Sequence, residues 1–138
     1  MVKHNVENFY NRIADKYDWF FSSKEKVMER QVKQISEMLG KYNAKTVLDC
    51  SCGNGMQAIG LAKHGYIVDG GDISQEMVDH ANRHATEQGV DITFKKADFL
   101  NLEQTFSKKY DVVLSWGNSI SHLLSDAELN QALKSLYN

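Results

Sequence analysis

The chain has 138 residues, 42% of them hydrophobic and 25% charged, with a formal net charge of -2. That length suits one domain burying about 70% of its unfolded surface, and the composition excludes a disordered or collagen-like chain. The charge balance gives no electrostatic reason to expect a nucleic-acid partner or an acidic membrane. No apolar run approaches the ~20 residues that span a bilayer, and no basic-then-apolar leader opens the chain. Cys50 and Cys52, separated by a single residue, cannot staple a secreted scaffold, so a reducing cytoplasm is the expected location. Proline is absent, where average usage of ~5% would give about seven.

The elements alternate. Val6, Phe9, Tyr10, Ile13, Ala14 and Tyr17 recur at helical spacing and predict a first amphipathic helix. Trp19, Phe20 and Phe21 follow as an aromatic cluster that serves as core or lines an acceptor pocket. Ser22 and Glu25 form a capping box for a second helix, with Met28, Val32, Ile35 and Leu39 on one face and Gly40 as its stop. Thr46 to Asp49 reads as a buried strand running into a glycine loop. Met56 to His64 reads as a helix ending at Gly65, and Tyr66 to Val68 as a second strand. Ser74 caps a helix carrying Met77, Val78, Ala81 and Ala85, which stops at Gly89. Ile92 to Phe94 and Asp111 to Trp116 read as further strands. Ser125 and Glu128 make a capping box for a last helix with Leu129, Ala132, Leu133 and Leu136.

Such alternation predicts an α/β fold of parallel strands joined by right-handed crossovers, with helices on both faces. Ligands then bind outside the carboxyl ends of the strands. The first strand ends in Asp49-Cys50-Ser51-Cys52-Gly53-Asn54-Gly55, where glycines allow a sharp bend and close backbone approach. Gly53 to Ala58 also fits the loose dinucleotide pattern G-x-G-x-x-A, which leaves a nicotinamide oxidoreductase as one reading. Asp49 argues against it, because a carboxylate there repels a pyrophosphate. It suits a ligand with positive groups and no phosphate, such as S-adenosylmethionine with its ammonium and sulfonium.

Asp49-x-Ser51-x-Gly53-x-Gly55 resembles the first motif of class I S-adenosylmethionine-dependent methyltransferases, acidic-x-small-x-Gly-x-Gly. Gly71-Asp72-Ile73-Ser74 resembles the second strand end of that family, and Ala97-Asp98-Phe99 the third. The segment L-S-W-G-N-S-I-S-H-L, Leu114 to Leu123, resembles the fourth and adds Ser115 to the cofactor side. The resemblance implies a Rossmann-like three-layer sandwich with sheet order 3-2-1-4, a helical lid over residues 1–40 and a cofactor-binding core over 45–138. It assigns both ribose hydroxyls to Asp72, and the adenine to Asp98 with the backbone N–H of Phe99. Carboxylate chemistry suits both partners. Ile73 and Met77 are candidates to sandwich the adenine, the Gly53 carbonyl to accept from the ammonium, and Arg30 to pair with the cofactor's carboxylate. Tyr10 and Tyr17 belong to the lid.

Gly117-Asn118-Ser119 followed by His122-Leu123 is similar to the G-N-S-x-x-H-L segment of glycine and related amine N-methyltransferases. The similarity makes Asn118 the acceptor-site candidate, with His122 in support. It implies methyl transfer to a small amine or amino acid, with another N- or O-linked small molecule as the competing acceptor. A cofactor-binding module with little or no turnover is the alternative from another class. No N-P-P-Y type segment is present, which argues against a nucleobase acceptor. Methyl transfer is an in-line displacement that alignment accelerates, so no base is firmly assigned; Tyr17 and His122 are candidates.

The plainer readings are specific. Asp49, Asp72 and Asp98 are each also readable as caps or loop residues. Cys50 and Cys52 read as small packing residues, since C-x-C alone is poor ligand spacing. His80 and His84 read as surface histidines rather than zinc ligands. A complete family fold has seven strands, so the resemblance implies a chain that stops before the later ones. Its fourth strand is then an exposed edge, open to a homodimer or to a missing C-terminal half.

Overall fold

The computed structural model describes residues 2–20, 24–116 and 125–137. Two helices come first, α1 (Val2–Phe20) and α2 (Lys24–Lys41). The alternating part follows: β1 (Thr46–Asp49), α3 (Met56–Lys63), β2 (Ile67–Asp72), α4 (Gln75–Gln88) and β3 (Thr93–Lys96). A 3-10 turn (Phe99–Asn101) runs into α5 (Leu102–Thr105), and β4 (Val112–Leu114) and α6 (Asp126–Tyr137) close the chain. All strand pairings are parallel, in the order β3-β2-β1-β4, which is the expected Rossmann-like topology.

Both sheet faces are apolar around β1 and β4, which is why these two strands read as continuous runs. Val47 points into one core with Val32, Ile35, Leu61, Val78 and Phe94. Its neighbour Leu48 points the other way, to Cys50, Ala97, Leu102 and Phe106. Helices α2, α3 and α4 thus cover one face and α5 and α6 the other, while α1 packs on α4.

Several boundaries depart from the sequence reading. Helix α1 reaches Phe20, so Trp19 and Phe20 belong to it, whereas Phe21 and Ser22 lie outside the described residues. Helix α2 does not stop at Gly40. Asn43 adopts a φ of 52° and takes the left-handed position beyond the helix. Its N–H donates to the Gly40 carbonyl at 3.3 Å, and the Ala44 N–H to that of Leu39 at 3.2 Å. This is the double closure of a Schellman end, with asparagine substituting for glycine. Gly65 and Gly89 close α3 and α4 the same way. Ser74 and Ser125 cap as expected, accepting from the Met77 and Glu128 N–H groups, each at 3.2 Å.

Strand β2 continues four residues beyond the expected end at Val68, through Asp69, Gly70, Gly71 and Asp72. The glycines sit there because neighbours fill their side-chain space. A Cβ on Gly70 would stand 2.4 Å from Phe94 Cδ1, and one on Gly71 3.0 Å from Ala97 Cβ. Strand β3 is shifted to Thr93–Lys96 and β4 is trimmed to Val112–Leu114. Beside β4, Asp111 clamps the start of β1, accepting from the Lys45 and Thr46 N–H groups at 2.8 and 2.9 Å. Within β2, buried Asp69 is satisfied by the Tyr110 hydroxyl at 2.6 Å and the Lys108 ammonium at 2.7 Å.

Candidate functional site

The carboxyl ends of β1, β2 and β3 carry Asp49, Asp72 and the segment Ala97–Asp98, and the parallel topology brings them to one rim. Asp49 is 1% exposed. Its carboxylate accepts from the Ser51 N–H at 3.3 Å. Burial pushes its carboxyl from 3.8 up to about 7; the Ser51 N–H opposes this, and the neighbouring Asp72 charge adds to it. Asp72 bridges two turns, with Oδ2 accepting from the Gly53 N–H at 2.9 Å and Oδ1 from the Ser74 N–H at 3.0 Å. Burial raises its carboxyl as well, against the pull of the backbone N–H groups. Among the described residues no basic side chain pairs with either carboxylate. The rim therefore carries a pair of buried acids held by backbone amides.

The loop after β1 is set by its contacts. Gly53 has a φ of 52° and Gly55 one of 82°. Ser51, half-buried, reaches across to β4's end: its hydroxyl donates to the Trp116 carbonyl at 3.4 Å and lies 3.5 Å from the Ser115 hydroxyl. The Cys50 thiol donates to the Leu114 carbonyl at 3.0 Å. Burial, with the Asp49 charge beside it, pushes that thiol to about 12. Cys52 is raised in the same way. Both are buried free thiols, in keeping with the packing reading, and no three-residue metal-ligating group occurs among the described residues.

A cavity of about 320 Å³ opens beyond β3 and is bordered by Ile73, Ala97, Asp98, Gln104, Glu7 and Lys96. Ile73 thus stands on its wall. Met77 is 1% exposed and is not among the residues of that wall. Asp98 caps the 3-10 turn, accepting from the Leu100 N–H at 3.0 Å, and Phe99 beside it is half-buried. Asp98 thus both caps the turn and borders the cavity.

The N-terminal helices reach the same rim. Tyr10 is half-buried, and burial with the nearby Asp72 carboxylate raises its phenol. Tyr17 lies on α1, with its side chain outside the described residues. Arg30 is exposed on α2, next to Gln31, whose carbonyl oxygen accepts from the Gln57 amide on the first turn of α3 at 2.8 Å. Asn118 and His122 lie outside the described residues.

Four contacts were not foreseen, and one reading is corrected. Glu7 pairs with Lys96, and Asn11 accepts from the Ser74 hydroxyl. His80 and His84 are not free surface histidines. His80 Nε2 lies 3.0 Å from Asp15 on α1, and His84 Nδ1 2.9 Å from the Asn54 carbonyl in the loop. Their partners lie far away in the chain, so spacing on α4 alone gave no signal. The four-residue spacing of Glu7, Asn11 and Asp15 was such a signal, legible only once α1 is known to pack on α4.

Comparison with known proteins agrees with this geometry. Residues 47–138 match the family model described as "Methyltransferase domain". The glycine/sarcosine N-methyltransferase of Parasynechococcus marenigrum (strain WH8102) is 27% identical over 132 residues, 96% of this chain and 45% of that protein. The ubiquinone biosynthesis O-methyltransferase of Coxiella burnetii (strain Dugway 5J108-111) is 38% identical over 83 residues, 60% of this chain and 35% of that protein. The chain spans less than half the length of these curated relatives. Among solved structures, magnesium protoporphyrin IX methyltransferase from Synechocystis PCC 6803 with bound S-adenosylmethionine superposes with a TM-score of 0.75 at 25% identity, covering 99% of this chain and 70% of that one. The family match, the 3-2-1-4 sheet and the acidic rim together place the chain in the class I S-adenosylmethionine-dependent methyltransferase family.

Proposed function

We propose that the protein transfers the methyl group of S-adenosylmethionine to a small-molecule amine or amino acid. The single observation that carries the reading is the buried Asp49–Asp72 pair, held by backbone amides and lacking a cation among the described residues. An uncompensated buried carboxylate is costly, and a cationic ligand without phosphate relieves that cost. The residues present therefore fit this cofactor. When bound, it supplies a methyl group on an already activated sulfonium leaving group.

The chain's own residues then bind and align. Asp72, fixed by the Gly53 and Ser74 N–H groups, is assigned the two ribose hydroxyls. Ile73, Ala97, Asp98 and Phe99 are assigned the base, with Ile73 and Asp98 at the cavity wall. The Gly53 carbonyl is assigned the ammonium and Arg30 the carboxylate. Ser51, Gly55 and Ser115 shape the loop between them, and Tyr10 and Tyr17 cover it. Asn118 and His122 are assigned the acceptor. An amine acceptor has to arrive neutral, and desolvation lowers an amine's pKa in the required direction. Alignment then supplies most of the acceleration.

The amine choice is supported by the G-N-S-x-x-H-L segment and by the glycine/sarcosine N-methyltransferase among the relatives; the O-methyltransferase among them keeps a hydroxyl acceptor as the competing outcome. Asp72→Ala is expected to weaken S-adenosylhomocysteine binding by about 1–3 kcal/mol, the scale of lost charged hydrogen bonds, when read by calorimetry with NAD as the control ligand. Unchanged affinity would refute the ribose assignment. Radiolabelled methyl transfer to glycine, sarcosine and phenolic acceptors tests the acceptor class. Label on the phenol alone contradicts the amine, and cofactor binding with no product from any acceptor favours a binding module without turnover.

A further inference from the structure

We infer that Asn11 on α1 is a positioning residue that couples the seating of this helix to the grip of Asp72, through the Ser74 hydroxyl; the inference rests on the cofactor reading above. Ser74 is 0% exposed. Its hydroxyl oxygen accepts from the Met77 N–H at 3.2 Å, so its single proton is left for one acceptor. That acceptor is Asn11 Oδ1. The Ser74 backbone N–H meanwhile donates to Asp72 Oδ1 at 3.0 Å, and the Gly53 N–H holds the other oxygen at 2.9 Å. One residue thus joins helix α1, the cap of α4 and the carboxylate assigned to the ribose.

The surroundings make this more than a chance contact. Glu7, Asn11 and Asp15 form one stripe along α1 at helical spacing. They grip three different places: Lys96 at the end of β3, Ser74 at the cap of α4, and His80 on the body of α4. The outer two contacts, the Glu7–Lys96 ion pair and the His80–Asp15 hydrogen bond, are partly solvent-exposed and contribute little each. The central one engages a fully buried hydroxyl, and leaving such a donor unpaired is expensive. Tyr10 adjoins Asn11 in sequence and stands close enough to Asp72 to feel its charge. With α1 lifted, Ser74 loses its acceptor, and the turn that orients Asp72 loses one of its supports. With α1 seated, the carboxylate is held in place before ligand arrives.

A double-mutant cycle on S-adenosylhomocysteine affinity tests the coupling. Asn11→Ala is expected to weaken binding about tenfold in the wild-type background, and less than about twofold where Ser74→Ala has already removed the hydroxyl. Equal losses in both backgrounds, or none in either, overturn the inference. Should Ser74→Ala fold poorly, Ser74→Gly replaces it, because glycine is the better tolerated N-cap. Hydrogen exchange gives a second reading: ligand should slow α1 amide exchange in the wild type and not in Asn11→Ala. Exchange that is faster in the variant but still slowed by ligand to the same extent marks a merely structural contact. A wild-type protein that binds no S-adenosylhomocysteine overturns the cofactor reading itself, not the link between α1 and Asp72.

Discussion

Replacing Asp49 by asparagine is expected to stabilise the unliganded protein at pH 8 by about 1–3 kcal/mol and to weaken S-adenosylmethionine binding about tenfold or more. The carboxyl is 1% exposed and its pKa stands at about 7 instead of 3.8. Each unit is worth about 1.4 kcal/mol, so the ionised form weighs on the fold by roughly 4 kcal/mol at most. The asparagine amide, lacking a full set of partners, returns about 1–2 kcal/mol of that. The sign follows from the raised value. Stability from this group is fully present below its unfolded pKa and is lost as pH rises through about 7. Asp72 is raised too and acts in the same direction. Asp111, whose carboxyl is lowered by the Lys45 and Thr46 N–H groups, acts oppositely, its contribution fading only as pH falls through the acid range. Urea denaturation at pH 5 and pH 8 checks this: the gap between variant and wild type should narrow at pH 5. A variant less stable than wild type at pH 8 would sink the assignment.

Gly55→Ala should destabilise the fold by about 2–5 kcal/mol through two additive causes. Gly55 has a φ of 82°, where an L side chain is strained. Its Cβ would also sit 2.8 Å from Ala81 Cβ and 2.9 Å from Phe94 Cζ. Phe94 is wedged against both Gly55 and Gly70, so the aromatic ring cannot retreat toward the sheet. The melting temperature should fall on the order of 10 °C. Gly40→Ala supplies the contrast: nothing lies within 4 Å of its built Cβ and the site is in the last turn of α2. There alanine should gain about 0.5–1 kcal/mol. Equal melting temperatures for Gly55→Ala and wild type would show that the loop can shift away from Phe94.

Much of the architecture is legible in the sequence because helix and strand periods are local. The strand-then-helix order and the caps at Ser74 and Ser125 need only a few neighbouring residues. What is not legible depends on distant partners. The period of the second strand reads only as far as Val68, yet Gly70 and Gly71 extend β2, with Phe94, Ala97 and Phe106 occupying their side-chain space. Gly40 reads as a helix stop, but Asn43 takes the left-handed turn. The acidic residues of the site were legible because topology sends successive strand ends to one rim. Met77, read as a base-stacking candidate, is 1% exposed in the first turn of α4, a burial that its helical spacing alone does not fix. The role of α1 was hidden, since Glu7, Asn11 and Asp15 look like any solvated polar face until Lys96, Ser74 and His80 are brought opposite them.

The two cysteines of the loop after β1 carry one more consequence. Sheltered from solvent and set beside the Asp49 and Asp72 carboxyls, their sulfurs stay as thiols across the physiological range. Oxidants and alkylating reagents therefore meet an inert surface while the strand ends are intact. Each modification event then counts a moment when this loop has come away from the sheet, so the sulfurs serve as a built-in clock for local opening.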